Sequence, residues 1–317
     1  HLIGKRGEGF KYMLTLMNNA RLGVGFESIG LCEAAYRMAC AYAEERKSMG
    51  KTIDRHEMIA DYLDEMRTDI QGLRALAMYG AWHEEMSQKI QLFMSDELKA
   101  VGLQSQELHR RLKHHKAEAR NVTPLLKYLA AEKAVDMSRR CVQILGGAGY
   151  ITEYGAEKLL RDAMVMPIYE GTSQIQALMA MKDKLMTIIR SPQDFIRKMA
   201  QIRWRSLSSR HPLERRLAKL QSLSYQAQQH LITRTATDKF RGLQGKPLTA
   251  WPKEFFQNWN PKRDFSYAML HAERFTRLLA DVAIAELLYK QAQKHPERWE
   301  VLERYLERAE PRCRFLL

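Results

Sequence analysis

One carboxylate stands where proton chemistry is conceivable. Glu170 lies in Ile168-Tyr169-Glu170-Gly171-Thr172-Ser173. On residue chemistry alone it reads as a helix-start charge, because a carboxylate ahead of Gly-Thr-Ser suits the positive end of a following helix. A catalytic base is the alternative. Gly146-Gly147-Ala148-Gly149 reads first as a helix C-cap, and no strand precedes it, so it is not a dinucleotide fingerprint. Trp82-His83-Glu84-Glu85 lacks the spacing of an HExxH zinc motif, and its His is expected on a solvated helix face. Lys113-His114-His115-Lys116 is expected to be a solvated charge run. Cys32, Cys40, Cys141 and Cys313 lie far apart with no CxxC pair. They fit neither a disulfide framework nor a metal site, and read as buried thiols of a reducing compartment.

The elements that must position these groups are helical. Gly (17) and Pro (9) are scarce, 45% of residues are hydrophobic, and Leu, Ala, Glu, Lys, Arg and Met are common, a mixture that favours helix. A long helix is expected over 13–47, interrupted by Gly23, Gly25 and Gly30. A second spans about 55–88, with Ile59, Leu63, Met66, Ile70, Leu73 and Ala77 on one stripe. A third is expected near 91–117. A fourth starts near Asn121, tolerates Pro124 in its first turn, and places Tyr128, Ala131, Val135, Val142 and Leu145 on its apolar face. Shorter helices follow at about 153–164 and 172–190. No convincing period-2 strand is found. The pattern predicts an all-α fold, an antiparallel four-helix bundle followed by a second helical segment.

Ser191-Pro192 opens that second segment as a cap followed by Pro. Leu213, Leu217, Leu220, Ala227 and Leu231 mark one amphipathic helix; Phe275, Leu278, Val282, Ala285 and Tyr289 mark another; Pro296 opens a last one. Between them, 241–263 mixes Gly and Pro with Trp251, Phe255, Phe256 and Trp259, which predicts a packed loop. The net charge of +14 is unevenly placed: residues 1–190 carry +3 and residues 191–317 carry +11. An acidic partner or surface is therefore expected for the second segment only. No apolar run approaches the roughly 18 residues of a membrane span. The opening His1-Leu2-Ile3-Gly4 reads as an internal stretch of a longer protein.

Three stretches together resemble the C-terminal domain of the acyl-CoA dehydrogenase family. Glu45-Arg46-Lys47-Ser48-Met49-Gly50-Lys51 is similar to the family's ERK(T/S)FGK, with Met49 in place of the usual Phe. Gln143-Ile144-Leu145-Gly146-Gly147-Ala148-Gly149-Tyr150 is similar to Q-(I/V)-x-GG-x-G-(Y/F). Leu160-Arg161-Asp162-Ala163 followed by Ile168-Tyr169-Glu170-Gly171-Thr172-Ser173-Gln174-Ile175-Gln176 resembles RDA…YEGT(S/N)xIQ, the most specific of the three. Their order and spacing match the family, and the resemblance covers about residues 1–186, leaving 187–317 as a basic helical extension.

The resemblance implies FAD as cofactor and α,β-dehydrogenation of an acyl-CoA thioester, with Glu170 as the α-proton base. It implies that Arg46 and Ser48 meet FAD of a dimer-related subunit, a guanidinium fork being suited to phosphate oxygens, with Met49 beside them. It places Gln143, Gly146 and Gly147 near the adenine and diphosphate, and Thr172 and Gln174 on FAD. Arg21, Asn18, Tyr169 and Gly171 fall near the acyl-CoA, and no metal is implied. The resemblance further implies a homodimer or homotetramer, electron-transferring flavoprotein as acceptor, and a cytoplasmic or mitochondrial-matrix location. The alternatives are an acyl-CoA oxidase, and a non-catalytic scaffold that binds nucleic acid or a protein through the basic extension. For the extension, coverage of a subunit interface is favoured over peripheral membrane contact, and nucleic-acid binding is least favoured.

Overall fold

The computed structural model describes residues 2–96, 105–243, 251 and 264–317. The chain divides into two compact units, His1–Gln176 and Ala177–Leu317. Family-like motifs all lie in the first.

Three long helices build unit 1: α1 (Gly9–Glu45), α2 (Glu57–Asp96) and α3 (Ser105–Leu145). A two-residue hairpin, β1 (Lys47–Ser48) with β2 (Lys51–Thr52), links α1 to α2. Helices α4 (Gly147–Tyr150) and α5 (Ala156–Ala163) follow α3, and α6 (Ser173–Arg190) carries the chain into the second unit. Helix direction follows from the pairings. Gly25 lies against Leu126, and Cys141 feels the charge of Cys40, so equal steps along α1 and α3 run the same way. His83 meets His115, Asp69 meets Lys133 and Glu65 meets Arg140, so α2 runs opposite to α3.

The expected stripes become the core. Met66, Ile70, Leu73 and Ala77 of α2 are buried, as are Tyr128, Ala131 and Leu145 of α3. Each fully buried leucine such as Leu126 contributes roughly 1.5–3 kcal/mol from apolar area removed from water. The three glycines expected to interrupt α1 leave it continuous, because surrounding packing outweighs a propensity cost of about 1 kcal/mol apiece.

The helices expected at 91–117 and from 121 are one. Helix α2 is described as far as Asp96 and α3 from Ser105, and α3 runs unbroken through Pro124. Val122, Leu125 and Leu126 are buried around the proline, and Thr123 Oγ1 donates to the carbonyl of Ala119 at 2.8 Å. Packing on both sides thus holds the helix across a residue that lacks an N–H. The histidine motifs also differ from expectation. His83 is 2% exposed and His115 7% exposed, and their Nδ1 atoms meet at 3.0 Å between α2 and α3. Three cysteines are buried and Cys40 is half-buried, all free.

Unit 2 is helical as well: α7 (Pro192–Ser208), α8 (Pro212–Arg241), α9 (Ser266–Leu270), α10 (Ala272–Lys294) and α11 (Trp299–Leu316). Pro192 and Pro212 sit in first turns, where the missing N–H costs nothing. Leu217, Leu220 and Leu231 of α8 pack with Phe275, Leu278 and Ala285 of α10 and Leu302 and Leu306 of α11 in the core. Asp281 of α10 accepts from Tyr305 at 2.7 Å and Arg312 at 3.0 Å, so its buried charge is matched. Most of the loop expected over 241–263 lies outside the described residues.

Candidate active site

The turn between α5 and α6 carries Glu170. Pro167 blocks a continuing helix, and the chain folds back through hydrogen bonds from Ile168 N to Val165 O (3.0 Å) and Ser173 N to Pro167 O (2.8 Å). Glu170 has φ 54° and Gly171 φ 87°. Only the glycine takes a left-handed backbone readily; for Glu170 it costs about 1–2 kcal/mol. A strained residue of this kind persists when its surroundings over-determine it.

Those surroundings are specific. Arg21 Nε of α1 donates to the Glu170 carbonyl at 3.1 Å, and Gln176 Nε2 donates to the carbonyls of Glu170 and Gly171 at 3.3 Å each. Lys127 of α3 donates through Nζ to Met166 O at 2.8 Å and Gly171 O at 2.9 Å. Thr172 caps α6, its Oγ1 accepting from Ile175 N at 3.3 Å. Ser173 Oγ donates to Glu132 Oε1 at 2.5 Å. Tyr169 donates to Glu27, and burial with that carboxylate pushes its phenol up to about 12.

The electrostatics follow from burial. Arg21 is 6% exposed, and desolvation lowers its pKa while Glu170 partly offsets the effect. Lys127 is wholly buried, and desolvation lowers its pKa to about 8 despite the opposing charges of Glu132 and Glu170. Glu170 Oε2 is buried with no hydrogen-bond partner. Ile168, Met164, Val165 and Ile175 form an exposed apolar rim beside the turn.

A second group gathers at the far end of the bundle. Because α1 and α3 run parallel, the hairpin after α1 and the glycine run after α3 share that end, where Tyr42 and Tyr154 meet edge to face at 6.0 Å. Arg46, Ser48, Met49, Gln143, Gly146 and Gly147 are all exposed there. Met49 (φ 47°) and Gly50 (φ 80°) form the two-residue turn of the hairpin, which requires positive φ at both positions and leaves the Met49 side chain 93% exposed. His56 Nε2 meets the Ser48 carbonyl at 3.1 Å and braces the turn. Arg46 lies 25 positions beyond Arg21, roughly 37 Å at 1.5 Å per helical residue.

The structure therefore brings Arg21, Tyr169, Glu170, Gly171, Thr172 and Gln174 together, and separately Arg46, Ser48, Met49, Gln143, Gly146 and Gly147. Asn18 lies on α1, with its side chain outside the described residues. Sequence reasoning missed Lys127, Gln176, Glu27 and Glu132. The readable sign was Lys127 itself, which stands in line with Ala131, Ala134 and Cys141 on the buried face of α3. The donor chemistry fits a flavin dinucleotide. The bundle end offers an exposed guanidinium, a hydroxyl and an amide suited to diphosphate and adenine. The turn offers a carboxylate oxygen with no partner of its own. Among the described residues no group of three or more His, Cys, Asp or Glu is arranged to hold a metal, and no helix is long and apolar enough to cross a membrane.

Residues 7–185 match the model of the acyl-CoA dehydrogenase C-terminal domain. A short-chain-specific acyl-CoA dehydrogenase of Clostridium acetobutylicum is 31% identical over 178 residues, 56% of this chain and 39% of that protein. An acyl-CoA dehydrogenase of Bacillus subtilis is 32% identical over 182 residues, 57% of this chain and 40% of that protein. The chain thus spans about two-fifths of the length of these curated relatives. Among solved structures, an acyl-CoA dehydrogenase complexed with FAD from Bacillus anthracis aligns with TM-score 0.68 at 16% identity, covering 99% of this chain and 51% of that one. Acyl-CoA oxidase3 from Yarrowia lipolytica aligns with TM-score 0.70 at 14% identity, covering 92% and 42%. At these identities the structures show the fold, and their likeness extends into the second unit.

Proposed function

The chain belongs to the acyl-CoA dehydrogenase family, and from that premise we propose that it is the C-terminal portion of an FAD-dependent enzyme that oxidises acyl-CoA thioesters to their α,β-unsaturated products. The observation that carries this reading is Glu170, whose buried Oε2 accepts no hydrogen bond and whose strained turn is held by Arg21, Lys127 and Gln176. An unengaged carboxylate oxygen keeps a lone pair available for a proton, and the apolar rim of Ile168 and Ile175 favours transfer over solvation.

Glu170 takes the proton from the α carbon. That proton becomes removable when donors hold the thioester oxygen and stabilise the developing enolate; the backbone N–H of Glu170 is one such donor. Arg21, Tyr169 and Gly171, with Asn18 on the same helix as Arg21, shape the acyl-CoA side. Thr172 and Gln174 would help hold the cofactor. Bound FAD supplies the acceptor for the hydride leaving the β carbon. Along α1, Arg46 stands roughly 37 Å from Arg21, which holds the carbonyl of the base. Arg46, Ser48 and Met49, with Gln143, Gly146 and Gly147, then serve the cofactor of a partner subunit, and the assembly is a homodimer or homotetramer. Electron-transferring flavoprotein is the proposed acceptor, and the cytoplasm or mitochondrial matrix the proposed location. Residues 1–186 form the catalytic bundle domain, and the basic extension 187–317 covers a subunit interface.

The test uses the full-length protein and its Glu170→Gln variant, a panel of acyl-CoAs and an artificial electron acceptor. Bleaching of the flavin by one chain-length class, lost in Glu170→Gln while FAD is retained, is the expected result. A flavin that responds to no acyl-CoA overturns it, and leaves the scaffold as a binding module. Rapid reoxidation by oxygen instead identifies an oxidase.

A further inference from the structure

The Lys127 side chain reaches both ends of the turn that carries the base. Its Nζ donates to Met166 O at 2.8 Å and Gly171 O at 2.9 Å, so the ammonium closes a loop over residues 167–170. The side chain is wholly buried. An ammonium in that position is costly unless its protons are engaged, and a purely apolar residue would fill the space at lower cost. The two carbonyls are the return for that cost. Without the ammonium the Met166 carbonyl loses this donor and the Gly171 carbonyl keeps the longer Gln176 contact at 3.3 Å, and the left-handed φ angles of Glu170 (54°) and Gly171 (87°) lose one of their constraints.

We propose that Lys127 is the positioning residue of this site: its buried ammonium clamps the Met166 and Gly171 carbonyls and so fixes the direction of the Glu170 carboxylate and backbone N–H. Its consequence for turnover rests on Glu170 acting as the base; the clamp itself does not. The charges that face the ammonium are Glu132 on its own helix, Arg21 on α1 and Glu170 on the turn. Burial brings its pKa down to about 8, so it discharges in mildly alkaline solution. A neutral amine holds carbonyls less strongly than an ammonium.

The experiment compares full-length wild type with Lys127→Met by peptide-resolved amide hydrogen exchange, followed by acyl-CoA kinetics. Exchange in peptides covering 166–176 should quicken roughly five- to tenfold, the equivalent of about one lost net hydrogen bond. Peptides from α1 and α2 should be unchanged. Turnover number should fall roughly 100-fold, as misplaced catalytic groups do, with KM and FAD content little altered; Lys127→Arg should recover part of it. Faster exchange throughout the bundle would make Lys127 a core residue only. Unchanged exchange at 166–176 overturns the proposal outright. If Lys127→Met does not fold, Lys127→Gln decides. Its shorter amide keeps the site polar but cannot span both carbonyls, so exchange at 166–176 should quicken relative to α2, and an unchanged ratio overturns the clamp. Local quickening in a protein that never reacts with acyl-CoA would retain the clamp and discard the dehydrogenase reading.

Discussion

Arg21, in the middle of α1, donates its Nε proton to the carbonyl of Glu170, 149 residues further along the chain. The bond ties the longest-range part of the turn to the bundle core, and the guanidinium is 6% exposed. Replacing it by leucine leaves that carbonyl with the longer Gln176 contact at 3.3 Å. Arg21→Leu should lower unfolding stability by about 1–3 kcal/mol, the cost of an under-satisfied buried acceptor, read as a lower urea midpoint at unchanged slope.

Gly171 tests the turn independently. Its φ is +87°, and an added Cβ would stand 2.7 Å from Gln176 Nε2, the amide that supports the same turn. Gly171→Ala should therefore cost roughly 1–3 kcal/mol from strain and displaced packing together. Calorimetry of the full-length variant checks this; an unchanged or raised Tm would show that the turn relaxes freely.

Two glycines of α1 should behave oppositely. A Cβ on Gly25 would lie 2.7 Å from Cγ and Cδ2 of the fully buried Leu126, whereas one on Gly30 meets nothing within 4 Å. Gly30→Ala should stabilise by about 0.5–1 kcal/mol through helix propensity. Gly25→Ala gains the same propensity but overpacks α1 against α3 by roughly 1–3 kcal/mol, so its net effect should be destabilising. Denaturation of the pair in parallel separates close approach from propensity.

The His83–His115 contact makes unit 1 acid-sensitive. With Nδ1 atoms 3.0 Å apart, one must donate and the other accept. Protonating the acceptor sets two N–H groups against each other. Burial lowers the His115 pKa first, and His114 and Arg111 lower it further against the weaker pull of Glu118. A histidine depressed in the folded state contributes its stability above the unfolded pKa of about 6.5, and that stability is lost as pH falls through the folded value. Stability should therefore decline below about pH 6.5, and His115→Gln should flatten the decline over pH 6.5 to 5 in a series of thermal melts.

Much of this architecture was legible in local pattern. The stripe through Met66, Ile70, Leu73 and Ala77 shows a helix with one buried face because side chains three and four apart share a face. Motif spacing was equally local for Glu170, which stands in a contiguous stretch. The errors came where packing overrules propensity. Pro124 marked an expected helix start, yet lies inside α3, and His83 was placed in solvent, yet is buried against a residue 32 positions away.

By itself the sequence determined that the chain is all-α, which faces of its helices are apolar, which stretches carry chemistry and where the excess positive charge lies. Each of these depends on residues within a turn or two of one another. Only the tertiary structure decided that α1 and α3 run parallel, so that Arg46 and Gly147 share one end while Glu170 stands far from both. Only there does Lys127 meet the carbonyls of residues 39 and 44 positions later. Such pairings join groups whose separation along the chain encodes nothing about distance; they follow from packing the apolar faces together, and so emerge only when the whole bundle closes.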